Sequence, residues 1–377
     1  MSRFGHAMLS PVLDLVQSLE DSVPYGDHTL VQKLWTTEAR AALHGSLSAS
    51  EATQEEQEEA YALLDVVSEG LSLFVEHASN TSWSAMSTED RQALIQSLKT
   101  QPQIAQRSDE WFHQFGKVLT ASEFAAVFTQ TKRRLDLVRS KSHPPTELPA
   151  FRHACPTEEL TPVGWGIRFE PVVKQILEFH DGCSIYEPGR LSHPTNTHLA
   201  ASPDGIVEVS KDPAQLGRLI EIKCPYSRKI GGEIPSDYWI QMQIQLEVTG
   251  VGECDYVECD IVSTKPGMPV VDLSGTLYQG FVYLLKQEVP EGDPFEYRYV
   301  YGTIGTSVQP SFPEGFVCVE TIPWGLKAWH RKLVQRDPVW YNGTRQWQDQ
   351  FWSDVNHARI YGIQATPTKE HCLITDE

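Results

Sequence analysis

Long apolar runs are missing from this 377-residue chain. No stretch approaches the ~20 apolar residues that span a bilayer, so no membrane partner is expected. The first residues, MSRFGHAMLSPVLDLVQ, lack a long apolar stretch behind a basic start, which argues against a cleaved export signal. Cysteine is sparse: Cys155, Cys183, Cys224, Cys254, Cys259, Cys318 and Cys372 are odd in number, scattered, and never in C-x-x-C. Zinc-ribbon and iron–sulfur readings therefore gain no support, and reduced thiols in an intracellular protein are expected. Compartment within the cell (nucleus, cytoplasm or viral replication site) stays open. Walker A, H-E-x-x-H and G-x-S-x-G are all absent. Gly164-Trp165-Gly166 has no third glycine at the spacing of a dinucleotide fingerprint. Basic charge is also short: 31 Lys and Arg stand against 50 Asp and Glu, a net of −19, which argues against a general nucleic-acid coat protein.

What is present fits a globular chain, with 40% hydrophobic residues and 10 Trp. That length suits one large domain or two ordinary ones and needs no disulfide to support a core. The charge is uneven. Residues 1–100 hold 15 acidic and 5 basic side chains, a net of −10, leaving −9 for the other 277. Helical spacing over 7–45 and 55–100, with Ser87-Thr88-Glu89-Asp90 as a helix start, predicts an acidic helical accessory region over 1–100. It serves as a partner surface or as a scaffold extension. One basic cluster, Lys132, Arg133, Arg134, Arg139, Lys141 and His143, reads either as a solvated helix face or as a phosphate contact.

The middle of the chain changes character. His198–Ser202, Ile206–Val209 and Arg218–Cys224 read as strands, with Pro203-Asp204-Gly205 as a turn making the first two a hairpin. Gly166–Phe179 and Tyr238–Thr249 read as helices. Beyond Cys254, β-like runs fall at 255–262, 280–285, 296–303 and 315–321. The tail from Trp324 to Ile360 reads as helical, broken near Pro338 and Asn342-Gly343. Trp329, Trp340, Trp347 and Trp352 lie there among arginines and lysines, as a packed amphipathic helix or a single-strand surface.

The chemistry concentrates in Ser202-Pro203-Asp204-Gly205 and Glu221-Ile222-Lys223, with sixteen residues between Asp204 and Glu221. Residues two apart on a strand share a face, so Glu221 and Lys223 sit side by side. A preceding turn can bring Asp204 next to Glu221. Two close carboxylates repel unless a cation neutralises them, and oxygen donors suit Mg²⁺ or Mn²⁺. The Lys223 ammonium would then orient a water or stabilise charge growing on phosphorus. Charged residues inside the apolar strand LIEIKCP are costly without a purpose. Glu170 lies among apolar neighbours on its helix, and Gln241, Gln243 and Gln245 are closely spaced on the next.

These blocks, in order, resemble the YqaJ-type viral recombinase, or lambda-type exonuclease, branch of the PD-(D/E)XK nucleases. Asp109-Glu110-Trp111 with Leu119-Thr120-Ala121-Ser122 resembles the first block, and Trp165–Glu170 the second. Ser202–Gly205 with Glu221–Pro225 resembles the third, and Tyr238-x-x-Gln241-x-Gln243 the fourth. The resemblance implies an α/β fold with a PD-(D/E)XK restriction-endonuclease-like core, a mixed β-sheet flanked by helices. A nuclease domain over 101–377 would carry its core motifs at 105–262 and a β-rich and helical extension at 263–377. It further implies Asp204, Glu221 and the Ile222 carbonyl as ligands of Mg²⁺, with Mn²⁺ as substitute. Glu170 would stand at the metal, Lys223 would position water, and Gln243 would contact the reacting strand.

Ser122 and Ser202 match positions that hold a terminal 5′ phosphate. Lys117, Arg133, Arg134, Arg228 and Lys229 are further candidates for the DNA backbone. The implied activity is 5′-to-3′ exonuclease action on linear double-stranded DNA ends. The implied partners are a single-strand annealing protein and further copies in a ring-shaped trimer. Where such nucleases carry a phosphate-clamping Arg, four residues after the Trp, this chain has Phe115. That departure keeps a structure-specific or endonucleolytic alternative open. A non-catalytic interaction protein on the same fold is a third reading, which the intact Asp204, Glu221 and Lys223 disfavour.

Overall fold

The computed structural model describes residues 83–104, 114–129, 131–144, 160–265, 271–291 and 293–362, with positions 44, 53, 54, 57, 58 and 61. The Asp109-Glu110-Trp111 block, the helices expected over 7–45 and most of 55–100 lie outside them. In chain order the elements are α1 (Thr88–Thr100), β1 (Leu119–Thr120), α2 (Lys132–Ser142), α3 (Pro162–Asp181), β2 (Cys183–Tyr186), β3 (Leu191–Ser192), β4 (Leu199–Ala201), β5 (Gly205–Ser210) and β6 (Leu219–Lys223). They continue with α4 (Ser236–Thr249), β7 (Glu253–Ser263), β8 (Tyr278–Gln287), β9 (Tyr297–Tyr301), β10 (Phe316–Gln335), α5 (Pro338–Gly343) and α6 (Arg345–Tyr361).

Among the described residues, the main sheet has the order β2-β5-β6-β7-β10-β8-β9, and a small one the order β1-β4-β3. In the main sheet β6 and β7 run parallel, and every other neighbouring pair is antiparallel. A parallel pair needs a long crossover, which α4 supplies. This is the mixed α/β sheet with flanking helices that the motifs imply.

Side-chain alternation sorts the two faces. Ile220 and Ile222 of β6 join the core beneath α3, with Trp165, Phe169, Val173 and Ile176. Leu219 joins the opposite core, with Met242, Ile244 and Leu246 of α4. Residues two apart share a face, so Glu221 and Lys223 point toward α4. Ser87 caps α1 by accepting from the Asp90 N–H at 3.1 Å. Trp83 and α1 pack into the α4-side core, and the Arg91 guanidinium lies 4.5 Å from the Trp83 ring centroid. Gly252 makes room for that indole, since a Cβ there would fall 2.3 Å from Trp83 Cγ.

Two expectations are corrected. The first is the hairpin around Pro203-Asp204. β4 belongs to the small sheet and β5 to the main one, so this turn carries the chain between sheets. The hairpin partner of β5 is β6, with Gly205 opposite Ile220. The second is the helical tail. Trp324–Gln335 is strand, because β10 runs 20 residues and pairs with β8 over its first half and β7 over its second. Pairing along an 11-residue neighbour overrides the helix-like spacing of its apolar side chains. Helix begins only at Pro338 and restarts at Arg345 after Asn342-Gly343.

Candidate active site

The β5–β6 pair sets the geometry. Asp204 is the last residue before β5, and the Ile222 N–H donates to its Oδ2 at 2.7 Å. Gly205 lets the Ile185 side chain of β2 pack against the start of β5: a Cβ there would stand 2.3 Å from Ile185 Cγ2. Glu221 is fully buried. Its Oε1 accepts from the Lys223 ammonium and from Gln241 Nε2, the latter at 2.7 Å, and its Oε2 accepts from Gln245 Nε2 at 2.7 Å. Gln241 and Gln245 are four apart on α4 and so share the face turned to β6.

A cavity of about 430 Å³ opens beside this cluster. Glu170, Val163 and Ile167 line it from α3, Ile222 and Lys223 from β6 with Asp204 just before β5, and Arg228 and Tyr238 from the segment that follows β6. The Lys223 ammonium lies 4.7 Å from the Tyr238 ring centroid. Glu170 pairs with Lys174 one turn along α3 at 2.8 Å, and Lys174 also reaches Glu187 at 2.8 Å.

The electrostatics are lopsided. Burial, reinforced by Glu221 and Glu170, pushes the Asp204 carboxyl well above the ordinary carboxylate range, against the pull of Lys223 and the Ile222 N–H. Burial alone would lower the Lys223 ammonium, but Glu221 and Asp204 outweigh it and raise it. Lys223 is therefore a cation at neutral pH, suited to donating hydrogen bonds and unsuited to abstracting protons.

The residues present fit a hard divalent cation. A carboxylate offers about four acceptor sites. Asp204 has one filled, by Ile222. Glu221 has three filled, and one site on Oε2 remains. Among the described residues no three His, Cys, Asp or Glu side chains already stand as a cage. Mg²⁺ commonly binds through one or two carboxylates and keeps its waters, so two acids and a carbonyl suffice.

Other expected residues are placed as follows. Gln243 is corrected: it faces away, its Nε2 donating to the Gln335 carbonyl at 2.8 Å while its Oε1 accepts from the Asp337 N–H at 2.7 Å. Arg134, expected on a phosphate-binding surface, is buried and paired with Asp354 at 2.6 Å. Lys141 is likewise buried, against Glu123 and the Phe115 carbonyl. Arg133 is exposed but paired with Asp237. Thr120 stands opposite Ala200 across the parallel β1–β4 pair; Ser122 follows in the turn after β1, with its hydroxyl 3.3 Å from that of Thr120, and Ser202 follows β4, two residues before Asp204.

Lys117 and Lys229 are exposed. Arg228 is anchored to buried Glu258 at 2.5 Å and still lines the cavity. The sequence reading missed Gln241 and Gln245 as the Glu221 donors, though i,i+4 spacing was the available signal. It also missed Lys174, one helical turn beyond Glu170.

The five described cysteines are unpaired. No helix among the described residues is long and apolar enough to cross a membrane.

Residues 110–252 match the model of the YqaJ-like viral recombinase domain. Uncharacterized protein R354 of Acanthamoeba polyphaga mimivirus is 32% identical over 182 residues, 45% of this chain and 32% of that protein. The chain thus spans about a third of the length of that curated relative. Among solved structures, an alkaline exonuclease (LHK-Exo) from Laribacter hongkongensis is 18% identical, with a TM-score of 0.38 over 67% of this chain and 95% of that one. A phage related exonuclease from Haemophilus somnus 129PT is 11% identical, with a TM-score of 0.34 over 65% and 93%. The matched stretch, residues 110–252, supplies Glu170, Asp204, Glu221 and Lys223, so the candidate site falls within the part of the chain that is similar to the YqaJ-like viral recombinase domain.

Proposed function

We propose that this chain is a divalent-metal-dependent deoxyribonuclease that hydrolyses phosphodiester bonds, degrading linear double-stranded DNA from its 5′ ends in recombination or end processing. The carrying observation is the convergence of Asp204, the Ile222 peptide, Glu221 and Lys223 at one end of the β5–β6 pair, beside an open cavity. Asp204, Glu221 and the Ile222 carbonyl would hold Mg²⁺, with Mn²⁺ as substitute. That ion would neutralise the repelling carboxylates, lower the pKa of a bound water and offset charge growing on the phosphate.

The chain's own residues do the rest. Lys223, anchored by Glu221, directs its remaining N–H groups to the attacking water or the phosphate oxygens. Gln241 and Gln245 fix the Glu221 carboxylate by hydrogen bonds to its ionised form. Glu170 acts from the far wall of the cavity through water. Arg228, on its Glu258 anchor, meets the DNA backbone at the cavity mouth. Ser122 and Ser202 would receive the terminal phosphate, and Lys117, Arg133 and Lys229 the DNA backbone. A single-strand annealing protein and further copies of the chain are the proposed partners.

Blunt linear duplex and closed circular duplex, each incubated with protein and Mg²⁺, provide the test. Linear DNA should shorten from its 5′ ends, the circle should persist, and Lys223→Ala should spare both. Linear DNA left equally intact by wild type and Lys223→Ala would overturn the nuclease reading. A nicked or linearised circle would instead favour endonucleolytic action.

A further inference from the structure

Glu170, Asp204 and Lys223 line the cavity, with Glu221 and Lys174 paired behind them, and the two ammoniums are not shared evenly among the three carboxylates. Lys223 pairs with Glu221, and Lys174 with Glu170. Asp204 forms no ion pair with any described lysine or arginine. Lys174 stands directly behind the cavity-lining Glu170, one turn along α3. Its side chain is only 10% exposed, and its ammonium bridges Glu170 Oε1 and Glu187 Oε2, both at 2.8 Å. Glu187 is largely exposed and gives Lys174 a second reason to stay. Two-metal phosphodiester chemistry needs a second cation close to the first, held by a further carboxylate. Glu170 is the cavity acid that could supply it, and its Oε1 already faces an ammonium.

We infer that Lys174 is a resident counter-ion that reserves Glu170, so that the DNA-free protein takes one divalent cation, at Asp204, and none at Glu170. The inference rests on the metal-site reading above and adds a stoichiometry to it. Lys174 is a positioning residue in this scheme, acting through Glu170.

Manganese(II) titration of the full chain without DNA, by calorimetry and by loss of the free-ion paramagnetic resonance signal, tests it. Wild type should bind one ion, and Asp204→Asn none at the same concentrations. Lys174→Met, which removes the charge and keeps the stem, should admit a second ion, tightened at least tenfold over any wild-type second event. Lys174→Arg should stay at one. Glu170→Gln, which does not depend on Lys174→Met folding, should also bind one ion with affinity within about threefold of wild type. Two ions in wild type, both lost in Asp204→Asn, would overturn the inference and leave the metal site standing. So would a tenfold loss in Glu170→Gln, or a folded Lys174→Met that still binds only one. No binding to wild type and to Lys174→Met would sink both the inference and the metal site.

Discussion

Gln241 and Gln243 are two residues apart and chemically identical, yet the structure gives them different tasks, and substitution should separate them. Gln241→Leu removes a 2.7 Å hydrogen bond to the buried Glu221 carboxylate. Hydrogen bonds to charged groups contribute about 1.5–3 kcal/mol. At about 2–4 °C per kcal/mol, melting should fall by about 3–12 °C. If a comparable energy is lost from the placement of Glu221 and Lys223, kcat falls by about 10- to 150-fold. Gln243→Leu removes two neutral bonds, to the Gln335 carbonyl and the Asp337 N–H. At about 0.5–1.5 kcal/mol each they give a similar stability loss of about 1–3 kcal/mol. They tie the end of β10 to α4 and touch no cavity residue, so kcat should stay within about threefold of wild type once melting is allowed for. Single-turnover cleavage of labelled linear duplex below both melting points, with thermal denaturation of each variant, makes the comparison. A larger kcat loss for Gln243→Leu than for Gln241→Leu would refute the assignment.

Asp204→Asn keeps an acceptor for the Ile222 N–H and removes the repelled charge. Because the folded state raises this carboxyl, it binds more protons than the unfolded chain between the ordinary carboxylate value and the raised one, so metal-free stability falls as pH rises through that window. The variant should therefore melt above wild type at pH 8 without metal, converge with it at pH 4, gain nothing from Mg²⁺ and cleave no DNA; a lower metal-free melting point at pH 8 would contradict this. Gly205→Ala drives a methyl to 2.3 Å from Ile185 Cγ2 and should cost about 1–3 kcal/mol, read as a lower midpoint in urea; an unchanged midpoint would mean that the strand pair moves freely. Arg228→Ala should lower the slope of log affinity for duplex DNA against log salt by about 0.9, measured by fluorescence anisotropy with Ca²⁺ in place of Mg²⁺. An unchanged slope would remove Arg228 from the DNA path.

Much of this arrangement was legible in the residues, and the limits are physical. Local signals carried α1, where Ser87 caps the helix, and α3, where apolar residues at helical spacing meet a left-handed Gly182 at φ 63°. The i,i+2 rule placed Lys223 beside Glu221, and the ion pair is there. Pairing partners were not legible. Leu199–Ala201 and Gly205–Ser210 are separated by a turn that looks like a hairpin from within the chain, and only the distant β1 and β6 decide that they enter different sheets. The strand Trp324–Gln335 depends likewise on β7, more than 60 residues upstream. On α4 the wheel put Gln241 and Gln245 on one face and Gln243 on another, but which face meets β6 follows from the crossover and not from the helix. Arg134 and Lys141 show the same limit for charge: a basic cluster in sequence becomes two buried ion pairs once α6 and Glu123 pack against it.

The two central acids are opposites, and that contrast explains why a sheet-to-sheet crossing sits at the site. Glu221, in mid-strand, can be surrounded; α4 lies across it and supplies amides, and an apolar core closes over the rest. Three donors hold it rigid, which is what an anchor for Lys223 requires, and leave one acceptor site on Oε2. A second acid in the same strand could not be treated so without exhausting the local donors. Asp204 instead stands where the chain leaves one sheet for another, outside any ladder, with one backbone N–H to hold it and open space on its other oxygen. Burial and the Glu221 and Glu170 charges raise its carboxyl, and Lys223 and the single Ile222 N–H do not offset them. A cation arriving there gains two things at once: relief of the Glu221 and Glu170 repulsion, and an acid not yet saturated by the protein. Placing Asp204 one residue later, inside β5, would give it ladder neighbours and sheet burial and remove both. The Asp-Gly boundary thus sets the free acceptor capacity of the site as well as its position, and Gly205→Ala should lower Mn²⁺ affinity together with stability, while Gly252→Ala, which meets Trp83 beyond the cavity, should lower stability alone.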